Sequence, residues 1–276
     1  MLTLEQFERT RRLALSLAGI ELVERHRELL ARRSRRLGVG AGAEWDALLG
    51  EAEAGEAAAT RQVISLVTTN FTGFFRHPRH FKIAAEHALR APRRRGQARL
   101  WSAAAATGEE PYSLALALIE VFRRDDPPVS VLATDIDAEA LEVARRGEYG
   151  ERALHSVSPR LRAHHFNEAA SKRWTVVPAV RHLVEFYALN LANAKWPVEG
   201  PFDVIFCRNV LMYLEVRHRT AILERMLSLL MPEGLLILDP TEHLGEVAPW
   251  FVPQTDGVYS PRHVPSRNFD VERRLV

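Results

Sequence analysis

The sequence has few of the features that mark secreted or membrane proteins. Only one of its 276 residues is a cysteine, Cys207, which excludes an intramolecular disulfide bond and favours a reducing compartment. No apolar run approaches the roughly 18 residues that a membrane-spanning helix requires. The first residues lack the basic and apolar stretches of a secretion signal. We therefore expect a cytoplasmic protein that does not insert into a membrane.

The chain also lacks a strong excess of charge of either sign. Its formal net charge is +2 at pH 7, so general binding to nucleic acid is not expected. The exception is a basic stretch in which Arg32, Arg33, Arg35 and Arg36 occupy four of five positions. On a helix Arg32, Arg35 and Arg36 would share one side, which indicates either a solvated charged face or a surface for an acidic partner.

Hydrophobic patterns divide the chain into a helical first part and an alternating second part. Up to about residue 70, leucines recur at spacings of three and four, as in amphipathic helices. From Leu100 onward, short apolar runs alternate with helical stretches. The pattern predicts an α/β fold with a doubly wound, Rossmann-like parallel sheet. The predicted strands cover residues 98–101, 129–135, 183–190, 202–207 and 235–239.

The same pattern predicts the domain organisation. We assign residues 1–85 to an N-terminal helical domain and linker, and residues 86–276 to the Rossmann-like domain. Between the predicted helix that ends near Arg146 and the predicted strand at Leu183 lie about 36 residues, which is too long for a simple loop. Part of this segment has β character, so the sequence predicts an inserted β subdomain at about residues 150–182.

The loop after the first predicted strand lacks the glycines of a dinucleotide-binding turn. Residues 102–107 are nearly all serine and alanine, so the backbone around Ala104 can approach a ligand closely. Glu109 and Glu110 follow, where the N-terminus of a helix usually receives a phosphate. Their charge would repel a pyrophosphate and favour a cationic group. This combination indicates S-adenosylmethionine, a nucleoside with an ammonium group beside a sulfonium.

An acidic residue stands at the end of the second predicted strand. Asp135 is placed to accept hydrogen bonds from the hydroxyl groups of a ribose. Alternatively, Asp135 and Asp137 merely cap the following helix. We favour ribose binding by Asp135, because the loop upstream already indicates a nucleoside.

Four motifs together resemble one known family, the CheR-type glutamate methyltransferases of chemotaxis receptors. They are TTNFTGFFRHPRHF, WSAAAATGEEPYSLAL, ATDIDAEALEVARRGEY and FDVIFCRNVLMYL, and with the helical N-terminus they span most of residues 15–240. The resemblance implies a class I S-adenosylmethionine-dependent methyltransferase with S-adenosylhomocysteine as product. Its activity would be that of a protein-glutamate O-methyltransferase, which forms γ-glutamyl methyl esters on receptor glutamates in sensory adaptation.

The resemblance also implies roles for individual residues. Arg76 would pair with the methionine carboxylate of the cofactor, and either Glu109 or Glu110 would hold its amino group. Tyr213 would lie near the transferable methyl group and orient the acceptor carboxylate, so Arg76 and Tyr213 are the candidate catalytic residues. With Ala104 from the loop included, the cofactor-binding candidates are Asn70, Thr72, Arg76, Ala104, Glu109, Glu110, Asp135, Asn190, Leu191, Arg208 and Asn209.

The implied partner is the cytoplasmic helical domain of a chemotaxis-type receptor, on which the enzyme would act as a monomer. Because the methylated helix carries glutamates, the four arginines of the basic stretch become candidates for substrate recognition. However, the segment DPTEHL at residues 239–244 departs from a GHSE-like segment of the family. This departure leaves open a methyltransferase with another acceptor, or a module that binds the cofactor or docks on receptors without turnover.

The sequence shows no obvious acid–base pair, and the implied reaction needs none. A glutamate side chain has a pKa of about 4.3, so the acceptor carboxylate is already ionised at neutral pH. Positioning and desolvation can then accelerate methyl transfer without a histidine, a triad or a metal. Metal binding is not expected, because no cysteine or carboxylate cluster accompanies the histidine pairs His77 with His80 and His164 with His165.

Overall fold

The computed structural model describes residues 2–36, 38–40, 42–91, 96–169 and 172–262. Its first part contains the helices α1 (Leu4–Ala18), α2 (His26–Arg36), α3 (Ala43–Glu53) and α4 (Ala57–Val67). α1 begins at a capping box, because Thr3 Oγ1 accepts from the Gln6 N–H and Gln6 Oε1 accepts from the Thr3 N–H. Trp45 of α3 is fully buried and donates from Nε1 to Thr10 Oγ1 over 3.2 Å, which ties α3 to α1.

A twisted sheet of seven strands, counted over the described residues, forms the centre of the second part. Its strands are β1 (Ala98–Ser102), β2 (Val129–Asp135), β6 (Val184–Ala188), β7 (Phe202–Phe206), β8 (Leu230–Ile237), β9 (Phe251–Thr255) and β10 (Val258–Pro261). The strand order is β6-β2-β1-β7-β8-β10-β9, in which the first five strands are parallel and β10 pairs antiparallel with both β8 and β9. The predicted doubly wound α/β sheet is therefore confirmed.

Helices cover both faces of this sheet. Those of the second part that flank it are α5 (Pro78–Ala88), α6 (Glu109–Phe122), α7 (Ala138–Arg146) and α10 (Val216–Leu229). Successive residues of a strand face opposite sides, so Leu100 packs into the core that includes α5 and α6, whereas Trp101 packs into the core shared with the N-terminal helices. None of the helices in the described ranges has both the length and the apolar character needed to cross a bilayer.

A small antiparallel sheet is inserted between α7 and β6. It consists of β3 (Glu148–Gly150), β4 (Phe166–Ala169) and β5 (Arg173–Val176) in the order β3-β5-β4, accompanied by the helices α8 (Pro159–His165) and α9 (Pro178–Arg181). Tyr149 and Phe166 each pack edge-on against Phe74, with ring centroids 4.9 and 5.6 Å apart. Tyr149 Oη also donates to Thr107 O over 2.8 Å, so the insert supports the loop after β1 from outside.

The structure differs from the sequence interpretation in two places. The proposed boundary between residues 85 and 86 falls inside α5, whose buried Phe81 and Ala84 pack it against α6 and β7. The hairpin β9–β10 at the sheet edge is absent from the predicted strands. Its turn contains the pair Asp256 and Gly257, with Gly257 at φ 71°, and this Asp-Gly pair is the sequence signal that indicates such a hairpin.

Candidate functional site

A cleft, which we call the main cleft, opens at the carboxyl ends of β1, β2 and β7, where parallel sheets usually bind their ligands. The linker between α4 and α5 forms one wall, and the segments that follow β6 and β7 form others. Residues singled out in the sequence come together here from distant parts of the chain. Those that line the main cleft are Asn70, Thr72, Arg76, Ala104, Glu110, Asp135, Asn190, Leu191, Arg208, Asn209 and Tyr213.

Short side chains let the loop after β1 lie directly against the ends of the neighbouring strands. The Ala103 N–H donates to Phe206 O of β7 over 2.8 Å, and the Ala105 N–H donates to Thr134 O of β2 over 2.9 Å. Ala104, between these two anchors, lines the main cleft. The loop therefore brings its backbone close to the cleft without a glycine between Ser102 and Thr107.

The two glutamates of α6 occupy different environments. In the main cleft, Glu110 accepts a hydrogen bond from Arg208 Nη1 over 3.0 Å and another from Ser102 Oγ over 2.9 Å. Glu109 is not among the residues that line this cleft, and its carboxylate accepts from Thr107 Oγ1 over 2.6 Å. Burial raises the pKa of both carboxyl groups, and Arg208 opposes the shift at Glu110.

This arrangement corrects the electrostatic interpretation of the sequence, which treats both glutamates as uncompensated charges facing the ligand. The charge of Glu110 is balanced by the buried guanidinium of Arg208, a residue 98 positions further along the chain. Glu109 contributes no side chain to the main cleft. Of the two candidates for the cofactor amino group, only Glu110 lines the main cleft.

Asp135 and Asp137, which the sequence could not separate, have different roles. Asp137 is the N-cap of α7, where its Oδ1 accepts from the N–H groups of Glu139 and Ala140. Asp135 lines the main cleft, and its two oxygens accept from the N–H groups of Asp137 and Ala106 over 2.9 and 2.8 Å. Burial raises the pKa of Asp135 to about 6. The capping alternative therefore describes Asp137 and not Asp135.

Asp137 also holds the linker that forms a wall of the main cleft. Its carboxylate accepts hydrogen bonds from Ser65 Oγ over 2.8 Å, from Thr68 Oγ1 over 3.0 Å and from Asn70 Nδ2 over 2.7 Å. Asn70 thus lines the cleft with its amide tied to the start of α7. Sequence reasoning treats Asp137 only as a helix cap, and it misses this second role because the partners lie 67 to 72 residues upstream.

Arg76 lies in the linker with a guanidinium that no acidic side chain of the described ranges neutralises. Its Nη1 donates to Phe71 O over 3.2 Å, and its Cζ lies 5.3 Å from the centroid of the Phe71 ring. These contacts hold the guanidinium at the wall of the main cleft. The positive charge is therefore available to an anionic group of a ligand, such as a carboxylate.

The arginines of the basic stretch do not form one surface. Arg32 and Arg35 are exposed on α2, and Arg32 Nη2 lies 3.5 Å from Glu28 Oε2 in the preceding turn. Arg36 belongs to the same helix, but its side chain lies outside the described residues. Arg33 is half-buried on another side of α2, so it does not extend the surface of Arg32 and Arg35.

Arg33 instead anchors the linker, which corrects its assignment to substrate recognition. Its guanidinium donates to Leu66 O over 3.1 Å, to Thr68 O and to Thr69 Oγ1 over 2.7 Å. These three acceptors belong to the chain from the last turn of α4 to the residue before Asn70. Because helical spacing determines the face of a residue but not its partner, the sequence alone could not separate this arginine from its neighbours by role.

Residues after β6 complete the main cleft and tie it to α1. Asn190 Nδ2 donates to Leu17 O over 2.6 Å, and its Oδ1 accepts from the Ala192 N–H over 2.9 Å, so both ends of the amide have protein partners. Leu191 and Ile136 supply apolar lining. Sequence reasoning missed Ile136, although its place at the end of β2, directly after Asp135, is a signal that could have identified it.

A second opening, which we call the side cleft, lies beside the main cleft. Its lining includes the exposed side chains of Phe71 and Met212. Arg76, Asn209 and Tyr213 line both clefts and so contribute to the wall between them. Within the described residues, no group of three or more His, Cys, Asp or Glu side chains is arranged to hold a metal ion.

The parallel sheet with a cleft at its carboxyl edge gives a Rossmann-like fold, and a family-model match makes the chain an S-adenosylmethionine-dependent methyltransferase of that fold. Residues 70–256 match the family model described as CheR methyltransferase, SAM binding domain. The chain therefore belongs to the CheR methyltransferase family, and the resemblance noted in the sequence is confirmed. The predicted cofactor, S-adenosylmethionine, is confirmed by the same match.

Curated relatives align with nearly the whole chain. Chemotaxis protein methyltransferase 2 of Pseudomonas aeruginosa is 39% identical over 266 residues, which cover 94% of this chain and 94% of the relative. The chemotaxis protein methyltransferase of Salmonella typhimurium is 38% identical over 262 residues, 92% of this chain and 89% of its own length. That of Escherichia coli is 37% identical over 262 residues, 92% of this chain and 90% of its own length.

The ionisation of Asp135 predicts how cofactor affinity depends on pH. Because burial raises the pKa of Asp135 to about 6, the carboxylate that can accept from ribose hydroxyls is present above that pH and is protonated below it. We expect the affinity for S-adenosylhomocysteine, measured by calorimetry, to fall about 10-fold between about pH 7 and about pH 5. Asp135→Asn should bind more weakly and lose this dependence. An Asp135→Asn variant with the wild-type pH profile would contradict the assignment.

Proposed function

We propose that this protein transfers the methyl group of S-adenosylmethionine to glutamate side chains of chemotaxis-type receptors, forming γ-glutamyl methyl esters. The observation that carries the proposal is the pair of adjoining clefts with Arg76, Asn209 and Tyr213 in their common wall. One cleft would hold the cofactor, and the other would admit the acceptor. Membership of the CheR family supports this reaction, and it gives no support to another acceptor or to a module without turnover.

The donors and acceptors of the main cleft fit the cofactor. The Asp135 carboxylate would accept from the ribose hydroxyls, Arg76 would bind the methionine carboxylate, and Glu110 would accept from the ammonium group. Ile136 and Leu191 provide apolar surface for the adenine. When bound, S-adenosylmethionine supplies a methyl group that its sulfonium makes electrophilic. The assignment accounts for both signs of charge in the cleft, because each charged end of the methionine group meets its opposite.

The residues of the common wall would promote the reaction by positioning the acceptor carboxylate. An acceptor carboxylate is ionised at neutral pH and needs no base, since its pKa is about 4.3 in the absence of perturbation. The hydroxyl of Tyr213 would donate to one oxygen of this carboxylate and leave the other free to attack. Enclosure of both partners in the clefts would remove water from the opposite charges that neutralise each other in the reaction.

The partner that we propose is the cytoplasmic helical domain of a receptor, met by a monomeric enzyme in the cytoplasm. The single cysteine is consistent with this compartment. Arg32 and Arg35, exposed on α2, would face the acidic side chains of the receptor helix. Arg36 is a third candidate from its position in the sequence, whereas Arg33 is left out because its guanidinium is used by the linker.

The proposed reaction is tested by the stability of the product bond. The protein is incubated with S-adenosylmethionine labelled in the methyl group and with membranes that carry chemotaxis receptors. We expect label in the receptor band that is released as methanol in mild alkali, because a carboxyl ester is base-labile. Label that survives alkali would indicate another acceptor. No transfer to any acceptor, with cofactor binding intact, would indicate a module without turnover.

Two substitutions should separate cofactor binding from turnover. Arg76→Ala should weaken binding of S-adenosylhomocysteine by about 10- to 100-fold, because a charge-assisted contact is lost. Tyr213→Phe should lower kcat at least about 10-fold and leave that affinity nearly unchanged. Arg79→Ala is the matched control, since Arg79 is exposed on α5 and does not line the main cleft. Unchanged affinity in Arg76→Ala, or unchanged kcat in Tyr213→Phe, would remove that residue from its role.

Removal of the surface charge of α2 should weaken receptor recognition without weakening cofactor binding. We expect the double variant Arg32→Gln and Arg35→Gln to raise KM for receptor by about 5-fold or more at low ionic strength. The difference from wild type should shrink as salt is added, because exposed charges are screened. The control is Arg90→Gln with Arg152→Gln, which removes the same charge from exposed positions elsewhere. Equal effects of the two double variants would indicate a solvated face.

A further inference from the structure

The segment at residues 239–244, which departs from the family pattern, contains a buried glutamate with an unusual set of partners. Glu242 is 4% exposed and lines neither the main cleft nor the side cleft. Its side chain accepts five hydrogen bonds, and all of the donors are backbone N–H groups. Oε1 accepts from Val210, Leu211 and Met212 over 3.0, 2.9 and 3.3 Å, and Oε2 accepts from Asn209 and Asp239 over 2.8 and 3.1 Å.

Four of these donors are consecutive residues in the segment that carries the common wall of the two clefts. This segment, residues 208–213, leaves β7 and ends in a single 3-10 turn, Leu211–Tyr213. The first N–H groups of so short a turn have no partners within it, and burial without partners would be costly. The Glu242 carboxylate supplies the missing acceptors and thereby determines the path of the segment.

The path includes one residue in a less populated backbone conformation. Asn209 has φ 56°, in the left-handed region, which most side chains disfavour and asparagine tolerates better than most. The Asn209 N–H donates to Glu242 over 2.8 Å, the shortest of the five contacts. At the other end, the Tyr213 N–H donates to Val210 O over 3.1 Å, so the position of Tyr213 follows from that of the residues bound to Glu242.

We propose that Glu242 is a positioning residue for methyl transfer, which fixes Asn209 and Tyr213 in the wall between the cofactor and the acceptor. The proposal rests on the function proposed above for that wall. A carboxylate suits this task because it has only acceptor sites, whereas a glutamine of the same size would turn an NH2 group towards N–H donors. Glu242 touches neither cleft, so it acts through the segment and not on the reactants.

Glu242→Gln is the main test. We expect a loss of kcat of about 10- to 100-fold, because small displacements of a positioned group have effects of this size, with less than about 3-fold change in KM for S-adenosylmethionine. In a Tyr213→Phe background, Glu242→Gln should cause a smaller fold-loss, because the part of its effect that acts through the Tyr213 hydroxyl is already absent. Wild-type kcat in the folded variant, or an equal fold-loss in both backgrounds, would overturn the proposal.

Asp203→Asn provides the matched control. Asp203 is also 4% exposed and accepts from a backbone N–H, that of Arg99 over 2.9 Å, but it lies near the amino end of β7, whereas the clefts open at the carboxyl end. Any loss of kcat in Asp203→Asn should have the same fold size in the wild-type and Tyr213→Phe backgrounds, as expected for independent sites. If Glu242→Gln does not fold, Glu242→Asp takes its place, because aspartate keeps an acceptor-only group on a shorter side chain. Its fold-loss of kcat is then compared between the wild-type and Tyr213→Phe backgrounds in the same way.

Amide hydrogen exchange gives a readout that needs no acceptor protein. The backbone amides of residues 209–212 should exchange at least about 10-fold faster in Glu242→Gln or Glu242→Asp than in wild type, while those of β1 keep their rates. Unchanged exchange in this segment would overturn the proposal even if no receptor is methylated. If the wild-type protein forms no base-labile product, the proposed function is refuted. The exchange rates of residues 209–212 then still test whether Glu242 fixes this segment.

Discussion

The buried ion pair between Arg208 and Glu110 is the contact on which the rest of the site depends. Arg208 follows β7, Glu110 lies in the first turn of α6, and the same guanidinium donates from Nη2 to Arg76 O of the linker over 2.9 Å. Three walls of the main cleft are thus joined by one side chain that is 1% exposed. Loss of either partner would leave a buried charge unpaired, which typically costs about 3–5 kcal/mol. A substitution of Arg208 or Glu110 should therefore disturb the main cleft and lower the stability of the fold at the same time.

The carboxylates of Asp137 and Glu242 also hold segments that form the main cleft. Asp137 accepts from side chains of the linker and from the first turn of α7, and Glu242 accepts from the segment after β7. Both are almost fully buried, at 2% and 4% exposure, and both use several acceptor sites. The segments that carry Asn70 and Tyr213 are irregular, so they lack ladder hydrogen bonds of their own. The buried carboxylates supply acceptors in place of those bonds and hold the two segments in position.

The sequence is most informative where a function depends on local spacing. Alternation of apolar runs and helices predicts the sheet, and a residue at the end of a strand, such as Asp135, is predicted to lie at the ligand edge because parallel strands all end there. Arg33, Asp137 and Glu242 are different. Their partners lie 36, 67 and 33 residues away, and no periodicity reports which carbonyl or N–H a buried side chain will meet. The pairing of Glu110 with Arg208, 98 residues apart, could not be predicted from the sequence for the same reason.

Arg33 has a consequence for how the family can diversify. Helix α2, which would contact a receptor through Arg32 and Arg35, also binds the linker that leads to Asn70 through hydrogen bonds from Arg33. A lineage that exchanged α2 for a helix suited to a new receptor would lose part of the support of its own cofactor pocket. If α2 meets the receptor as proposed, the same helix would serve recognition and support of the main cleft, and a change of α2 that keeps Arg33 would keep that support.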